Sequence, residues 1–413
     1  MSANLEYDLN WLNDHAAEML EHVIRWSNIN SGTNHLAGLE RICRELQKDF
    51  AVLDGEMCNI PLPATLDVDA AGREFQTEYG QALSIRKRMD APLRVMLCIH
   101  MDTVFPADHA FQAVTQIDDD RLHGPGVADA RGGLAIMLFA LRCLERACES
   151  RALELGWEVF INPDEEVGSP GSLVELERRA GEHHLGLLFE PGLPDGSLIS
   201  TRGGSGNFSL ALTGRPAHVG REFERGRSAM HLAARIVNQL AALNEREGIT
   251  INVGAIDGGG PLNVVSDRAI IRLNARALNA AAQSYIENTL ADTCTEVNAM
   301  DGHIARLYGR FTSPPKEADD ALRRLMRIVE DCAGAENIPI QWRSSGGVCD
   351  GNKLMAAGLP NIDTLGARGG NIHSDQEYML IPSLLERARL VARILIGLAE
   401  GSIAWPITKP ENA

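Results

Sequence analysis

Three short apolar runs, each followed at once by ionisable side chains, constrain the fold of this chain more than any other feature of its sequence. The runs occupy residues 94–99, 155–161 and 185–189, and residues 132–144 between them have the pattern of a helix. A short run without a polar face is typical of a strand that is buried on both faces of a largely parallel sheet. Strands that alternate with helices in this way predict an α/β fold.

The residues that follow these runs carry the groups needed for chemistry. His100 and Asp102 follow the first run, Glu165 and Glu166 follow the second, and Glu190 follows the third. The carboxyl ends of parallel strands lie at one edge of a sheet, where open α/β proteins bind their ligands. We therefore expect these side chains to lie close together at that edge.

The spacing within two of these groups suggests a division of roles. In extended chain, residues two apart point the same way, so Asp102 can accept a hydrogen bond from His100 and fix its tautomer, as a metal-bound histidine requires. Neighbouring side chains diverge, so one of Glu165 and Glu166 can bind a metal while the other acts as a general base. Taken alone, each motif is more typical of an ordinary loop than of a metal site.

Two further residues complete a candidate metal centre. Asp129 and His373 both lie in glycine-rich segments. Two divalent cations would carry a charge of +4 against −3 from Asp129, Glu166 and Glu190, and the remainder suits a bridging hydroxide. Imidazole and carboxylate ligands favour zinc, with cobalt or manganese as alternatives.

The pattern changes after residue 203, where a second unit begins. The glycine-rich residues 201–206 are interpreted as a hinge or linker. The elements that follow have the order β-α-β-β-α-β, which is typical of a ferredoxin-like α+β domain. They are predicted at residues 207–212, 228–243, 249–256, 269–277, 280–299 and 303–308. We predict a discontinuous α/β domain at residues 1–203 and 314–413, with the small domain inserted at residues 204–313.

The overall charge restricts the partners of the chain. It has 39 Lys and Arg residues against 56 Asp and Glu residues, a net charge of −17. Such an acidic protein repels nucleic acid and anionic lipid, and an anionic substrate would need a local positive cluster. No apolar stretch is long enough to span a membrane, and no signal-peptide pattern is present. The eight cysteines form no C-x-x-C pair, which favours free thiols and a cytoplasmic location.

Taken together and in order, these motifs resemble a family of co-catalytic zinc peptidases and amidohydrolases. That family includes glutamate carboxypeptidase, acetylornithine deacetylase, succinyl-diaminopimelate desuccinylase and aminoacylase. The resemblance extends over nearly the whole chain. It is carried by HMDTV at residues 100–104, GPGVADARGG at 124–133, DEEVGS at 164–169, EP at 190–191 and HSDQEY at 373–378.

The resemblance implies two zinc ions per chain and a role for each motif residue. The general base takes a proton from the attacking water and delivers it to the leaving nitrogen of an amide. The implied roles are bridging ligand for Asp129, ligands of one ion for His100 and Glu190, ligands of the other for Glu166 and His373, orientation of His100 for Asp102, and general base for Glu165.

The resemblance also implies that the inserted domain is a lid and dimerisation domain. His218 is expected to reach across a homodimer and stabilise the oxyanion of the tetrahedral intermediate. Without the other motifs, a surface histidine in a turn would be the preferred interpretation of His218.

Five more residues are expected to contact the substrate. Arg276 matches the arginine that holds the substrate carboxylate with two parallel hydrogen bonds, and it would supply the local positive charge. Arg310 is a second, weaker candidate for such a role. Asn263 is expected to make a polar contact. Gly346 and Gly347 are expected either to let the backbone approach the substrate or to form an ordinary turn.

The first functional hypothesis is a glutamate-carboxypeptidase-like exopeptidase, which cleaves an amide bond next to a free carboxylate in a small substrate. An N-acyl amino acid deacylase of the acetylornithine deacetylase or aminoacylase type is the alternative. A metal-dependent binding protein without activity is a hypothesis from another class, but every expected ligand and the base are present. A glycosidase that uses Glu165 and Glu190 leaves His100, Asp102 and His373 without a role.

Overall fold

The computed structural model describes residues 3–407. Its α-helices are α1 Ala3–Asn10, α2 Ala16–Ser27, α3 Leu36–Phe50, α4 Gly133–Arg151, α5 Leu173–Glu182, α6 Val219–Glu222, α7 Ala229–Ala241, α8 Ala280–Asn298, α9 Asp320–Ala335, α10 Asp350–Ala356 and α11 Pro382–Ala399. Its strands are β1 Glu56–Ile60, β2 Thr65–Val68, β3 Glu74–Thr77, β4 Ala82–Lys87, β5 Arg94–His100, β6 Thr115–Gln116, β7 Arg121–His123, β8 Gly156–Asn162, β9 Leu185–Leu188, β10 Leu198–Arg202, β11 Gly204–Thr213, β12 Ile249–Gly258, β13 Arg268–Ala277, β14 Ile304–Ser313, β15 Trp342–Ser345, β16 Asn361–Ile362, β17 Gly369–Gly370 and β18 Tyr378–Leu380.

The central sheet has the strand order β1-β4-β8-β5-β9-β16. Strands β8, β5, β9 and β16 are parallel to one another, whereas β4 runs antiparallel to both of its neighbours. The three apolar runs of the sequence are β5, β8 and β9, so the predicted mostly parallel α/β fold is confirmed.

Helices cover both faces of the central sheet, which explains why its strands have no polar face. Val95, Leu97 and Ile99 of β5 face the larger hydrophobic core, to which α2, α3, α4, α9 and α11 contribute. Met96 and Cys98 face the opposite way, into a smaller core beside α5 and α10. The strand thus buries both sets of alternating side chains, and its ends are held at a fixed depth in the protein.

The inserted domain is an antiparallel sheet with the strand order β12-β13-β11-β14 and with α7 and α8 on one face. This order is second, third, first and fourth along the chain, as in a ferredoxin-like domain. Both helices begin at a capping side chain. Ser228 accepts a hydrogen bond from the N–H of His231 at 3.2 Å, and Asn279 accepts one from the N–H of Ala282 at 2.9 Å.

The glycine-rich residues 201–206 are not the linker that the sequence suggested. All of them except Gly203 belong to β10 and β11, and Gly204 and Gly206 permit close packing of the backbone. A Cβ atom at Gly204 would lie 2.8 Å from the side chain of Pro315, and one at Gly206 would lie 2.9 Å from the carbonyl oxygen of Arg310.

Three further observations concern the domains and the surface. The hydrophobic core of residues 208–311 is separate from the larger core, which agrees with an inserted domain, while the exact boundaries at 203 and 314 stay a prediction. Strands β2 and β3 form a hairpin that the sequence did not predict. Within residues 3–407, no helix is both long and apolar enough to cross a lipid bilayer.

Candidate active site

His100 is the last residue of β5, and its imidazole ring is buried at the carboxyl edge of the central sheet. Its Nδ1 lies 3.1 Å from the carbonyl oxygen of Asp102 and 3.3 Å from Oδ1 of the same residue. Its Nε2 lies 3.0 Å from Oδ1 of Asp129 and 3.9 Å from Oε2 of Glu190. One ring nitrogen therefore faces Asp102, and the other faces two carboxylates.

Asp129 lies between two imidazole rings and gives one oxygen to each. Its Oδ1 faces His100, and its Oδ2 lies 3.2 Å from Nε2 of His373. Nε2 of His373 also lies 3.1 Å from Oε2 of Glu166. Ligand atoms of His100, Asp129 and Glu166 lie within 4.8 Å of one another, close enough to hold a metal ion. Asp129 does not cap α4, whose N-cap residue is Gly132 without a side-chain cap bond.

The buried acidic groups of this cluster perturb one another. Burial raises the pKa of Glu190 to about 8, and the charge of Asp129 contributes. Burial also raises the pKa of Glu166, again with help from Asp129. Burial opposes the ionisation of Asp129, but hydrogen bonds from the two histidines outweigh it and hold the pKa of Asp129 below its usual value. Hydrogen bonds to Asp129 and Glu166 raise the pKa of His373 to about 11.

Glu165 and Glu166 lie in a short 3₁₀ turn, residues Glu165–Val167, rather than in the extended chain that the sequence suggested. Their side chains nevertheless diverge. Glu166 faces His373, whereas Glu165 is half-buried near Glu190, and loss of solvation followed by the charge of Glu190 raises the pKa of Glu165 well above its ordinary value.

Asp102 joins this turn to the imidazole of His100. Its Oδ1 accepts a hydrogen bond from the N–H of Glu165 at 3.2 Å, and its Oδ2 accepts one from the N–H of Glu166 at 3.1 Å. The hydroxyl of Thr33 donates to the same Oδ2 at 2.7 Å. A single buried carboxylate thus sets the relative positions of a histidine and of the turn with both glutamates. Thr33 lies in none of the sequence motifs, so its role could not be predicted from them.

Glu377 holds the backbone around Asp129. One carboxylate oxygen accepts from the N–H groups of Ala128 and Asp129 at 3.0 and 3.1 Å, and the other accepts from the N–H of Gly126 at 3.1 Å. Burial raises the pKa of Glu377 to about 7. The residue lies within the HSDQEY motif, but the sequence analysis assigned no role to it.

Two buried cations lie behind the acidic cluster. Lys353 donates to Asp350 at 2.9 Å, and its charge opposes the rise in the pKa of Glu165. Arg131 donates to the hydroxyl of Ser31, while its Nε and Nη1 have no hydrogen-bond partner within residues 3–407. Burial lowers the pKa of Arg131 to about 10, a value at which it stays charged at neutral pH.

Arg276 and the glycine pair meet at the junction of the two domains. Arg276 lies on β13, its Nε donates to Oδ1 of Asn274 at 2.9 Å, and its Nη1 donates to the carbonyl oxygen of Gly346 at 3.4 Å. The carbonyl oxygen of Gly347 accepts from Arg202 at 3.0 Å. Arg310 lies on β14, which β11 separates from β13, and it lines a cavity between the domains.

His218 and Asn263 lie together but apart from the acidic cluster. The N–H of Val219, next to His218, donates to the carbonyl oxygen of Asn263 at 2.9 Å. Both side chains are exposed, and His218 caps the short helix α6 by accepting from the N–H of Gly220. Among residues 3–407, no hydrogen bond or ion pair joins either residue to His100, Asp129 or His373.

Residues 96–397 match the sequence model of peptidase family M20/M25/M40. The chain belongs to this family. The resemblance found in the sequence is thereby confirmed, and the M20 chain is a metal-dependent hydrolase. Its ligand candidates fit that assignment, because buried carboxylates outnumber the imidazoles beside them and nitrogen and oxygen donors suit divalent cations.

The relatives of this chain are named for different activities. The chain is 26% identical to carboxypeptidase G2 of Pseudomonas sp. (strain RS-16) over 315 residues, which is 74% of each chain. It is 25% identical to N-acetyl-L-citrulline deacetylase of Xanthomonas campestris pv. campestris over 256 residues, 59% of this chain and 65% of the relative. The crystal structure of aminopeptidase PepT from Bacillus cereus has the same fold, with a TM-score of 0.68 at 23% identity over 93% of this chain and 99% of that one.

Proposed function

We propose that the chain is a dinuclear zinc hydrolase that cleaves an amide bond next to a free carboxylate in a small substrate. The observation that carries this proposal is the position of Asp129, whose two oxygens face His100 and His373 separately. A carboxylate in that position can bridge two cations, one completed by Glu190 and the other by Glu166. Cobalt or manganese are alternative metals for such a donor set.

When bound, the two ions supply polarisation of the amide carbonyl and a water acidified toward a pKa of about 7. Glu165 accepts a proton from the attacking water and passes it to the leaving nitrogen. Its burial next to Glu190 suits this exchange, because the protonated and ionised forms of such a carboxyl group are brought closer in free energy. Asp102 keeps His100 and the turn of Glu165 in a fixed relation.

The substrate carboxylate is assigned to Arg276. Its guanidinium is oriented by Asn274 and by the backbone of Gly346, and no carboxylate of the chain within residues 3–407 is paired with it. A guanidinium at the domain junction that no carboxylate among residues 3–407 neutralises is a local exception to the net charge of −17. Arg310, on the next strand but one, is a second cation for the substrate, and Gly347 extends the backbone surface beside Arg276.

We further propose a homodimer through the inserted domain, in which each copy gives His218 and Asn263 to the site of the other. The support is an exposed apolar cluster around these two residues. Leu262 is 99% exposed and Phe223 is 56% exposed, which is unusual for side chains that stay in water. Across a dimer, His218 would stabilise the oxyanion of the tetrahedral intermediate.

Mixing two inactive variants tests the shared site. Dimers of His218→Ala mixed with Glu165→Gln contain, in half of the molecules, one site with both residues intact. The mixture should therefore regain about a quarter of wild-type activity after subunit exchange. A mixture that stays as inactive as its two components would contradict the contribution of His218 across a dimer.

Within this class, a glutamate-carboxypeptidase-like exopeptidase is the preferred function, and the similarity to carboxypeptidase G2 supports it. An N-acyl amino acid deacylase is the alternative, which the similarity to N-acetyl-L-citrulline deacetylase favours. Zinc-loaded protein should release glutamate from dipeptide or folate-like substrates faster than acetate from N-acetyl amino acids. The reverse order would select the deacylase, and no hydrolysis in either series would refute the proposal.

All eight cysteines are free, which supports a reducing, cytoplasmic location.

A further inference from the structure

The chain enters the inserted sheet after Arg202 and leaves it before Lys316, and these two crossings lie side by side. The N–H of Arg202 donates to the carbonyl oxygen of Lys316 at 3.0 Å, and the N–H of Lys316 donates to that of Arg202 at 2.9 Å. The side-chain amide of Asn352 joins the same segments, because it donates to the carbonyl oxygens of Gly203 at 3.0 Å and Pro314 at 2.7 Å. The two crossings therefore form one short, paired ribbon.

One buried carboxylate holds both crossings. Asp363 accepts from Nε of Arg202 through Oδ2 and from Nη2 of the same guanidinium through Oδ1, both at 2.9 Å. Nζ of Lys316 donates to Oδ2 of Asp363 at 2.6 Å. Burial opposes the ionisation of Asp363, but the charges of Arg202 and Lys316 outweigh it and hold the pKa of Asp363 below its ordinary value. These three buried residues form a charged crossing clamp.

The crossing clamp contacts the backbone of a candidate metal ligand. Asp363 directly follows β16, which lies parallel to β9, so it lies at the same edge of the central sheet as Glu190. The N–H of Glu190 donates to the carbonyl oxygen of Asp363 at 3.1 Å. One end of the clamp is thus fixed relative to the metal-ligand cluster.

The other end of the clamp contacts the glycine pair beside Arg276. Nη1 of Arg202 donates to the carbonyl oxygen of Gly347 at 3.0 Å, and the carbonyl oxygen of Gly346 accepts from Nη1 of Arg276 at 3.4 Å. Both glycines are exposed, and a Cβ atom at Gly346 would have no atom within 4 Å among residues 3–407 apart from its chain neighbours. Packing therefore does little to fix this segment, and its hydrogen bond from Arg202 becomes important.

We propose that Arg202 is a positioning residue, which holds the glycine pair and, through it, Arg276 in a fixed place relative to Glu190. A guanidinium suits this role because its three nitrogens lie in one rigid plane, so two can pair with a carboxylate while the third reaches a carbonyl oxygen. The single nitrogen of a lysine cannot reproduce that arrangement. The inference rests on the proposed function and deepens it, since Arg202 acts on the binding of the substrate carboxylate without touching the substrate.

Arg202→Lys tests the proposal, and Arg202→Met is a second variant in case the first one does not fold. Both variants remove the planar fork of donors that joins Asp363 to Gly347. Asp363 keeps its ion pair with Lys316 in each of them, so no buried carboxylate is left without a cation.

Arg88→Lys is the matched control. Arg88 also pairs with one carboxylate through two nitrogens, that of Glu145, and its third nitrogen donates to the carbonyl oxygen of Leu155. Glu145 keeps its ion pair with Lys87 in this variant. Leu155 precedes β8, so the control lies at the opposite end of that strand from Glu165.

The assay measures KM and kcat of the zinc-loaded full chain on the substrate that the wild type cleaves faster, a dipeptide or an N-acetyl amino acid. The same compound with its carboxylate converted to an amide is measured beside it. Each Arg202 variant should raise KM for the carboxylate substrate at least about tenfold, keep kcat within about threefold, and stay within about twofold on the amide. Arg88→Lys should change neither KM, even where its unfolding midpoint falls as far as that of the Arg202 variants.

A double variant shows whether Arg202 acts through Arg276. When Arg276 is already alanine, adding Arg202→Lys should raise KM by no more than about twofold, because the group that Arg202 positions is gone. An additive increase, equal losses on both substrates, or an unchanged KM in both Arg202 variants would overturn the inference while the proposed hydrolysis stands. A wild-type chain that cleaves neither kind of substrate would refute the proposed function, and the inference with it.

Discussion

Replacement of Asp102 by asparagine tests how the buried carboxylate organises the site. The carboxylate accepts from two backbone N–H groups and from Thr33, and it faces Nδ1 of His100 at 3.3 Å. An amide of the same shape must turn its NH₂ group toward one side of this arrangement. Even if the hydroxyl of Thr33 rotates to accept, the N–H of Glu166 then faces another donor.

The expected magnitude follows from the loss of one hydrogen bond to a charged group. Such a bond contributes about 1.5–3 kcal/mol, and a buried donor left without a partner is equally costly. If this free energy is lost from the arrangement of His100 and the Glu165 turn, kcat or zinc affinity falls by about 10- to 150-fold. This agrees with the loss of about 10- to 100-fold that is typical when the partner of a metal-bound histidine is removed.

The assay is a zinc titration against a chromogenic chelator, combined with kcat at saturating zinc. Asp120→Asn is the matched control. It makes the same carboxylate-to-amide change, but on an exposed side chain that makes no hydrogen bond to the site. A variant Asp102→Asn that binds zinc and turns over within twofold of the wild type would refute the role given to Asp102.

Three further predictions concern the base, the substrate carboxylate and stability. Glu165→Gln should keep its metal content and lose about 10²- to 10⁴-fold in kcat, so an unchanged kcat would remove Glu165 as the base. Arg276→Ala should raise KM for carboxylate-bearing substrates, whereas an equal effect on a neutral amide analogue would contradict its role. Burial lowers the pKa of His183 to about 4, although Glu158, 3.5 Å away, favours its charge. The unfolded chain therefore binds this proton first as the pH falls, and the free energy of unfolding should drop by about 2 kcal/mol between pH 7 and pH 5. In urea titrations His183→Asn should lack this contribution, and an identical pH slope in the variant would contradict it.

The sequence predicts well those features that depend on local pattern and on simple geometry. Strands β5, β8 and β9 are buried on both faces, so each appears as a continuous apolar run. Since parallel strands end at one edge, the closeness of His100, Glu166 and Glu190 follows from the same pattern. His373 lies far along the chain and in a loop. Its glycine-rich segment made it a candidate ligand, but only the family resemblance implied which ion it would bind.

The features that the sequence did not predict depend on long-range contacts. The β2–β3 hairpin is short and polar, and it owes its position to arginines more than 190 residues away. Glu377 accepts hydrogen bonds from backbone N–H groups around Asp129, and Thr33 donates to the carboxylate of Asp102. Neither contact can be predicted from the spacing of side chains in a motif. Residues 201–206 have the composition of a linker, yet close approach of Pro315 and Arg310 makes their glycines part of the packed sheet.

The number of zinc ions bound per chain tests the central claim most directly. Protein loaded with zinc, dialysed and analysed by plasma mass spectrometry should contain two ions per wild-type chain. Asp129→Ala should contain at most one under the same conditions, because the shared ligand is lost from both sites. A wild-type chain with one ion or none, or an Asp129→Ala chain that keeps two, would contradict the dinuclear centre.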